Sequence, residues 1–188
     1  MRWLLVSAVV AICIVFLIFA NAKEAEKMYV NFIHDIINDC FVDGKALDLA
    51  VISFEYYKAG DLRKAFEYAN RSIEQSPYYA FAYCRRANIY FDWGMYDLAV
   101  KDYSRAIDLY YRDGIYYYYR GMSYLHLGKY EEALKDFDTA IEFLPHVGVI
   151  YHTRGKTREY FSMYEEAQED FRMACSLGDK DACLEIRK

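Results

Sequence analysis

The chain of 188 residues contains only two prolines and nine glycines, which leaves few positions for the tight turns of hairpins and β-sandwiches. Long helices are therefore favoured. Basic residues are also few: 23 lysines and arginines stand against 28 aspartates and glutamates, so the formal net charge is -5 and no Lys/Arg cluster departs from that average. A nucleic-acid-binding protein needs a basic surface, so the composition excludes DNA and RNA as expected partners.

The sequence also lacks the motifs that carry most enzyme chemistry. It has no glycine-rich phosphate loop, no nucleophile elbow between a strand and a helix, and no Cys/His cluster at metal-ligand spacing. We therefore expect a non-enzymatic protein with no catalytic residue, no metal and no cofactor. A thiol or histidine with a positioned partner in a closed pocket would contradict this expectation. The histidines are scattered along the chain: His34, His126, His146 and His152.

A long apolar run is present at the start of the chain. Trp3 to Ala20 are eighteen residues without a charge. Small residues at Ala20 and Ala22 suit signal peptidase, so residues 1–22 are predicted to be a signal peptide cleaved after Ala22. The alternative is an uncleaved membrane anchor, because eighteen helical residues span about 27 Å. In both cases the rest of the chain is expected to be exported: periplasmic or secreted, or anchored on the non-cytoplasmic side.

Residues 46–181 repeat with a period of 34 residues. This offset gives four units at residues 46–79, 80–113, 114–147 and 148–181, the first of them the weakest copy. Each unit divides at a glycine or serine followed by a polar residue, which predicts two helices of about a dozen residues each. The residues that align in the last three units are Tyr83, Tyr117 and Tyr151; Ala87, Gly121 and Gly155; Tyr96, Tyr130 and Tyr164; Ala99, Ala133 and Ala167; Tyr103, Phe137 and Phe171; and Ala106, Ala140 and Ala174.

This pattern resembles the tetratricopeptide repeat family over the four units. The third unit fits the family pattern at Tyr117, Gly121, Tyr124, Ala133, Phe137, Ala140 and Pro145. Departures occur at Ala69, Tyr111, Arg158 and Asp179. The resemblance implies an all-α fold, a right-handed α-solenoid of antiparallel helix pairs with a concave and a convex side.

The resemblance also implies a function and a site. Family members act as protein-interaction adaptors, and the first helix of each repeat lines a concave groove; the expected partner is a protein or peptide. The chaperone-tail-binding subgroup is not matched, because Ala50 and Phe54 stand where it needs lysine and asparagine. Two alternatives stay open: several groove residues serve only to pack adjacent repeats, or the protein is a self-associating component of a cell-envelope assembly. The expected groove residues are Tyr57, Phe81, Cys84, Asn88, Phe91, Tyr118, Met122, Leu125, His152 and Lys156.

Arginine occupies the seventh position of three repeats, where the family usually has an apolar residue, and an aspartate follows each arginine by sixteen residues. In the first repeat both places are apolar or aromatic. We interpret the pairs as ion pairs between the two helices of each repeat; the alternative is a row of ligand-binding arginines. The pairs are Arg86 with Asp102, Arg120 with Asp136, and Arg154 with Asp170.

The two terminal repeats would expose apolar helix faces unless other segments of the chain cap them. Residues 23–45 carry apolar residues on one helical face and are predicted to be a capping helix, with dimerisation or a membrane-proximal position as alternatives. Residues 182–188 would form a short C-terminal cap. Similar cysteine spacing in the Sel1-like relatives of the family implies that Cys175 and Cys183 could hold this cap by a disulfide in an oxidising compartment. Closing this loop would contribute roughly 2–3 kcal/mol to the stability of the fold. The alternative is two free buried thiols. Cys40 and Cys84 have no evident partner.

Overall fold

The computed structural model describes residues 44–186, and this part of the chain contains nine helices and no strand. The predicted signal segment 1–22 lies outside the described residues, as does the predicted capping helix up to residue 43. The first helix begins two residues before the expected start of the first repeat. The helices are α1 Gly44–Lys58, α2 Leu62–Gln75, α3 Ala80–Asp92, α4 Tyr96–Leu109, α5 Gly114–His126, α6 Tyr130–Phe143, α7 Gly148–Tyr160, α8 Tyr164–Ser176 and α9 Lys180–Glu185.

The first eight helices form four antiparallel pairs, and each pair packs on the next pair along the chain. The predicted all-α solenoid is therefore confirmed. Three of the turns inside the pairs contain a glycine in the left-handed region, where glycine has no steric penalty: Gly60, Gly94 and Gly128 have φ of 80°, 72° and 70°. Ser162 takes the same place in the fourth pair with φ 60°.

The two helices of a pair approach closely where a small residue faces an aromatic one. A Cβ atom added to Gly121 would lie 2.7 Å from Cε1 of Phe137, and one added to Gly155 would lie 2.7 Å from Cε1 of Phe171. Both phenylalanines are fully buried. The ring of one helix thus fills the space that the missing side chain of the other leaves, which is why the 34-residue pattern keeps glycine and phenylalanine sixteen residues apart.

The three predicted arginine–aspartate pairs are bidentate contacts between the helices of a pair. Arg86 Nε lies 2.6 Å and Nη2 2.9 Å from the carboxylate oxygens of Asp102. The Arg120 guanidinium makes two bonds of 2.7 Å to Asp136. In the last repeat the bonds to Asp170 measure 3.0 and 2.6 Å, and Arg158 adds a further bond of 2.8 Å to the same carboxylate.

Each of these arginines also reaches back to the preceding repeat, a contact that the sequence reading missed. The third donor bonds to the residue sixteen positions earlier: Arg86 Nη1 donates to Asn70 Oδ1 at 2.9 Å, and Arg120 Nη1 donates to Ser104 Oγ at 3.0 Å. Arg154 makes the equivalent contact to Asp138 at 2.6 Å. The arginines therefore join neighbouring repeats as well as the two helices of one repeat.

The run of four tyrosines from Tyr116 to Tyr119 is divided among different environments. Tyr116 is the most buried, at 4% exposure, whereas its neighbour Tyr117, which fits the aromatic position of the family pattern, is partly buried and stacks on Phe143. Tyr118 packs against Phe137 with ring centres 6.0 Å apart. Tyr119 is partly exposed and stacks on Tyr103. Successive helical side chains point about 100° apart, so the four rings cannot share one role.

The C-terminal end of the described chain is closed by a disulfide. Cys175 on α8 and Cys183 on α9 are bonded, with Cα atoms 4.8 Å apart. Of the other cysteines, Cys84 is free and buried, while Cys13 and Cys40 lie outside the described residues. Within residues 44–186, none of the helices combines the length and the apolar character needed to cross a bilayer.

Candidate protein-binding groove

The first helices of the first three repeats, α1, α3 and α5, line a groove with a volume of about 320 Å³. Its walls are mostly aromatic, and four polar or charged side chains stand among the rings. Binding sites for other molecules commonly combine such apolar walls with a few placed polar groups. The lining residues are Phe54, Tyr57, Phe81, Cys84, Arg85, Asn88, Phe91, Asp92, Tyr103, Asp113, Ile115, Tyr116 and Tyr119.

Arg85 is the cation of the groove. Its Cζ lies 4.2 Å from the ring centre of Phe54 and 4.0 Å from that of Phe81, so the guanidinium is held between two aromatic rings. Within the described part of the chain, Arg85 Nε is the one buried side-chain nitrogen or oxygen without a hydrogen-bond partner. The two rings fix the side chain while leaving this N–H donor unused.

The other polar groups of the groove are tied to its tyrosines. The Tyr103 hydroxyl donates to Asn88 Oδ1 at 2.6 Å. Burial raises the pKa of Tyr57, and a hydrogen bond to Asp92 raises it further. Asn88 and Asp92 are therefore held in place by tyrosine hydroxyls from neighbouring helices. These bonds fix the shape of this part of the groove before a partner binds.

Burial also changes the acid–base behaviour of Cys84 and Asp113. It raises the pKa of the Cys84 thiol to about 12, so this cysteine is protonated at neutral pH and is not a thiolate nucleophile. Burial likewise raises the pKa of Asp113, although this carboxylate accepts a bond of 2.9 Å from the amide of Ile115 at the start of α5. In the described part of the chain, no three His, Cys, Asp or Glu side chains are grouped to hold a metal ion.

The structure places the residues expected in the groove in three different settings. Five of them line it: Tyr57, Phe81, Cys84, Asn88 and Phe91.

Three others, on α5, do not line it. They are partly buried and pack against the cluster around Phe137, and so serve the packing between adjacent repeats: Tyr118, Met122 and Leu125. The remaining two, His152 and Lys156 on α7, contact acidic residues near the C-terminus.

Several groove residues were missed by the sequence reading. Arg85 and Tyr119 occupy the sixth position of their repeats, one residue beyond a position that the family resemblance assigns to the groove. Helical spacing could have found Arg85, because Phe81, Arg85, Asn88 and Asp92 follow one another at intervals of four, three and four residues, on one face of α3.

Comparison with known proteins agrees with this architecture. A family model described as tetratricopeptide repeat matches residues 80–110 and 115–147. The second such domain of Spaghetti (RPAP3), bound to the HSP90 peptide SRMEEVD, is 32% identical, with a TM-score of 0.51, and the match covers 52% of this chain and 91% of that one. The chain therefore belongs to the tetratricopeptide repeat family.

Two further solved structures resemble the chain over a larger part of its length. The first domain of Spaghetti (RPAP3), bound to the same peptide, is 27% identical with a TM-score of 0.62, over 64% of this chain and 97% of that one. MamA is 20% identical with a TM-score of 0.67, over 86% and 94% of the two chains, and shows a shared fold. The sequence matches none of the curated proteins compared with it.

Proposed function

We propose that this protein is a non-enzymatic adaptor that binds a segment of a partner protein in the groove between α1, α3 and α5. The observation that carries the proposal is Arg85, a guanidinium held between two rings with its Nε–H unused. A buried donor without a partner costs about 1–3 kcal/mol, and a bound segment that supplies an acceptor removes this cost. The aromatic walls then take an apolar side chain of the same segment.

The relatives support a peptide as the ligand, because the Spaghetti domains are bound to one. The contacts must differ in detail. Here Phe54 packs on Arg85, and Ala50 is buried, so the side chains that would read a chaperone tail are replaced by an aromatic wall. We infer a partner segment that offers one apolar side chain next to a carbonyl or carboxylate acceptor.

Affinity enrichment with the full chain as bait, in detergent, tests this function. Phe81→Ala removes one wall of the groove and one of the two rings that hold Arg85, and we expect at least a tenfold loss of the specific partner, about 1.4 kcal/mol or more. Tyr160→Ala is the matched control, because this ring is 69% exposed and lies outside the groove. Equal loss in the two variants, or none in Phe81→Ala, would refute groove binding.

We further propose that the repeats act on the non-cytoplasmic side of a membrane. The support is the uncharged run from Trp3 to Ala20 together with the bonded pair of Cys175 and Cys183, since disulfides persist in oxidising compartments. A reporter enzyme that is active only after export, fused to Lys188, should be active. Activity confined to a cytoplasmic reporter at the same site would overturn the proposed location.

A further inference from the structure

The segment from Asp179 to Glu185, which we name the C-terminal latch, lies against two basic residues on α7. Its first residue, Asp179, has Oδ2 3.1 Å from His152 Nδ1, and its last, Glu185, has Oε1 2.6 Å from Lys156 Nζ. His152 and Lys156 are four residues apart and so share one face of α7. These contacts also act on the acids: backbone bonds and the hydrogen bond to His152 lower the pKa of Asp179, and the ion pair with Lys156 lowers the pKa of Glu185.

An apolar contact lies at the centre of the latch. Ala182 is fully buried in a cluster with Tyr151 of α7 and Ala174 of α8. The carbonyl of Glu185 accepts a bond of 3.0 Å from Gln168 on α8. The latch therefore occupies a small site with two basic side chains around an apolar centre, and its own composition shows which ligand fits that site: a short acidic segment with a small apolar residue in the middle.

The disulfide between Cys175 and Cys183 holds the latch in this site. The helical part of the latch has six residues, and a helix of that length is marginal by itself. The pair of Lys156 and Glu185 is solvent-exposed, which makes it weak and sensitive to salt. Cys183 is at the surface, so a reductant can reach the bond that joins it to Cys175.

We propose that the His152 and Lys156 face of α7 is a second interaction surface, specific for acidic protein segments, and that the latch blocks it until Cys175–Cys183 is reduced. A dithiol reductant breaks the S–S bond by thiol exchange: two electrons and two protons pass to the cysteines, which become thiols, and the reductant becomes a disulfide. The latch then opens, and an acidic segment of a partner takes its place. This surface is separate from the groove and does not depend on the function proposed for it.

Hydrogen exchange of the full chain tests the opening step. Reduction with dithiothreitol should speed amide exchange in residues 180–185 by about tenfold or more, because the latch loses its covalent tie, while α3 to α6 keep their rates. Unchanged exchange in the latch after complete reduction would overturn the proposal.

Binding of a peptide tests the specificity of the surface. The variant of the full chain carries Cys183→Ser, Asp179→Asn and Glu185→Gln. Its latch lacks the disulfide and the two carboxylates that contact α7, while asparagine at position 179 preserves the N-cap of α9. A labelled peptide of residues 178–186 with Cys183→Ser should bind this variant at least tenfold tighter, by fluorescence anisotropy, than the same peptide with Asp179→Asn and Glu185→Gln. Adding Lys156→Gln to the protein should abolish the preference.

Equal affinity for the acidic and the neutral peptide would rule out recognition of acidic segments. If the triple variant does not fold, the same two peptides are compared on the dithiothreitol-reduced natural chain, with the oxidised chain as the control. Equal binding of the acidic peptide to the reduced and oxidised chains would then overturn the proposal.

Discussion

Replacing Phe137 with alanine is expected to lower the free energy of unfolding by about 3–5 kcal/mol, the range for deleting a buried aromatic ring. Phe137 is fully buried against Gly121, and it belongs to the cluster that joins the third repeat to Ile150 of the fourth. Glycine has no side chain that could fill the cavity left by the ring. Denaturant unfolding measures the loss, and hydrogen exchange should locate it in α5 to α7.

Phe161→Ala is the matched control for this prediction. Phe161 is 39% exposed, lies in the turn between α7 and α8, and contacts Tyr130 and Tyr160. We expect it to cost less than about 1.5 kcal/mol, the upper range for an aromatic pair. A Phe137→Ala loss no larger than that of Phe161→Ala would mean that the repeats do not depend on this packing.

Asp136→Ala is expected to destabilise the protein by about 3 kcal/mol, and the double variant with Arg120→Met by distinctly less. The single change leaves the Arg120 guanidinium, 18% exposed, without its carboxylate, and breaking one side of a buried pair is more costly than replacing both partners. Burial disfavours the charged form of Arg120, yet the bonds to Asp136 outweigh it and raise the arginine's pKa. A guanidinium is not deprotonated in proteins, so the arginine stays charged when its partner is removed.

Melting temperatures of the two variants, measured side by side, decide this point. Arg120 also bonds Ser104 in the preceding repeat, so the double variant should retain some loss. Equal losses in the single and double variants would show that the pairing does not stabilise the fold.

The 34-residue period was enough to predict the helices and their order, because each repeat buries its apolar face only on its neighbours. The spacing of sixteen residues also led to the Arg120–Asp136 contact. It could not indicate the backward bond to Ser104, since that bond depends on how consecutive repeats are offset. A partly buried serine such as Ser104 gives no signal of its own in one sequence.

The groove was harder to predict than the fold. The position within the repeat assigned Tyr118 to the groove and left out Arg85 and Tyr119. Because a shift of one residue along a helix rotates the side chain by about 100°, an error of one position changes which side chain faces the groove. Which ring is buried and which is exposed depends on the local fit, as with Tyr116 taking the buried place beside Cys84. Packing decides which of the four adjacent tyrosines is buried, and neither composition nor periodicity specifies that packing.

Site-specific photo-crosslinking tests the central claim that a partner segment occupies the groove between α1, α3 and α5. A benzophenone amino acid replaces Ile115, a 46% exposed residue of the groove, or Lys135, an exposed residue on α6 outside it. The account predicts one specific protein adduct through the Ile115 site and none through Lys135, with the adduct lost when Phe81→Ala is added. The same adduct from both sites, or from Lys135 alone, would contradict it.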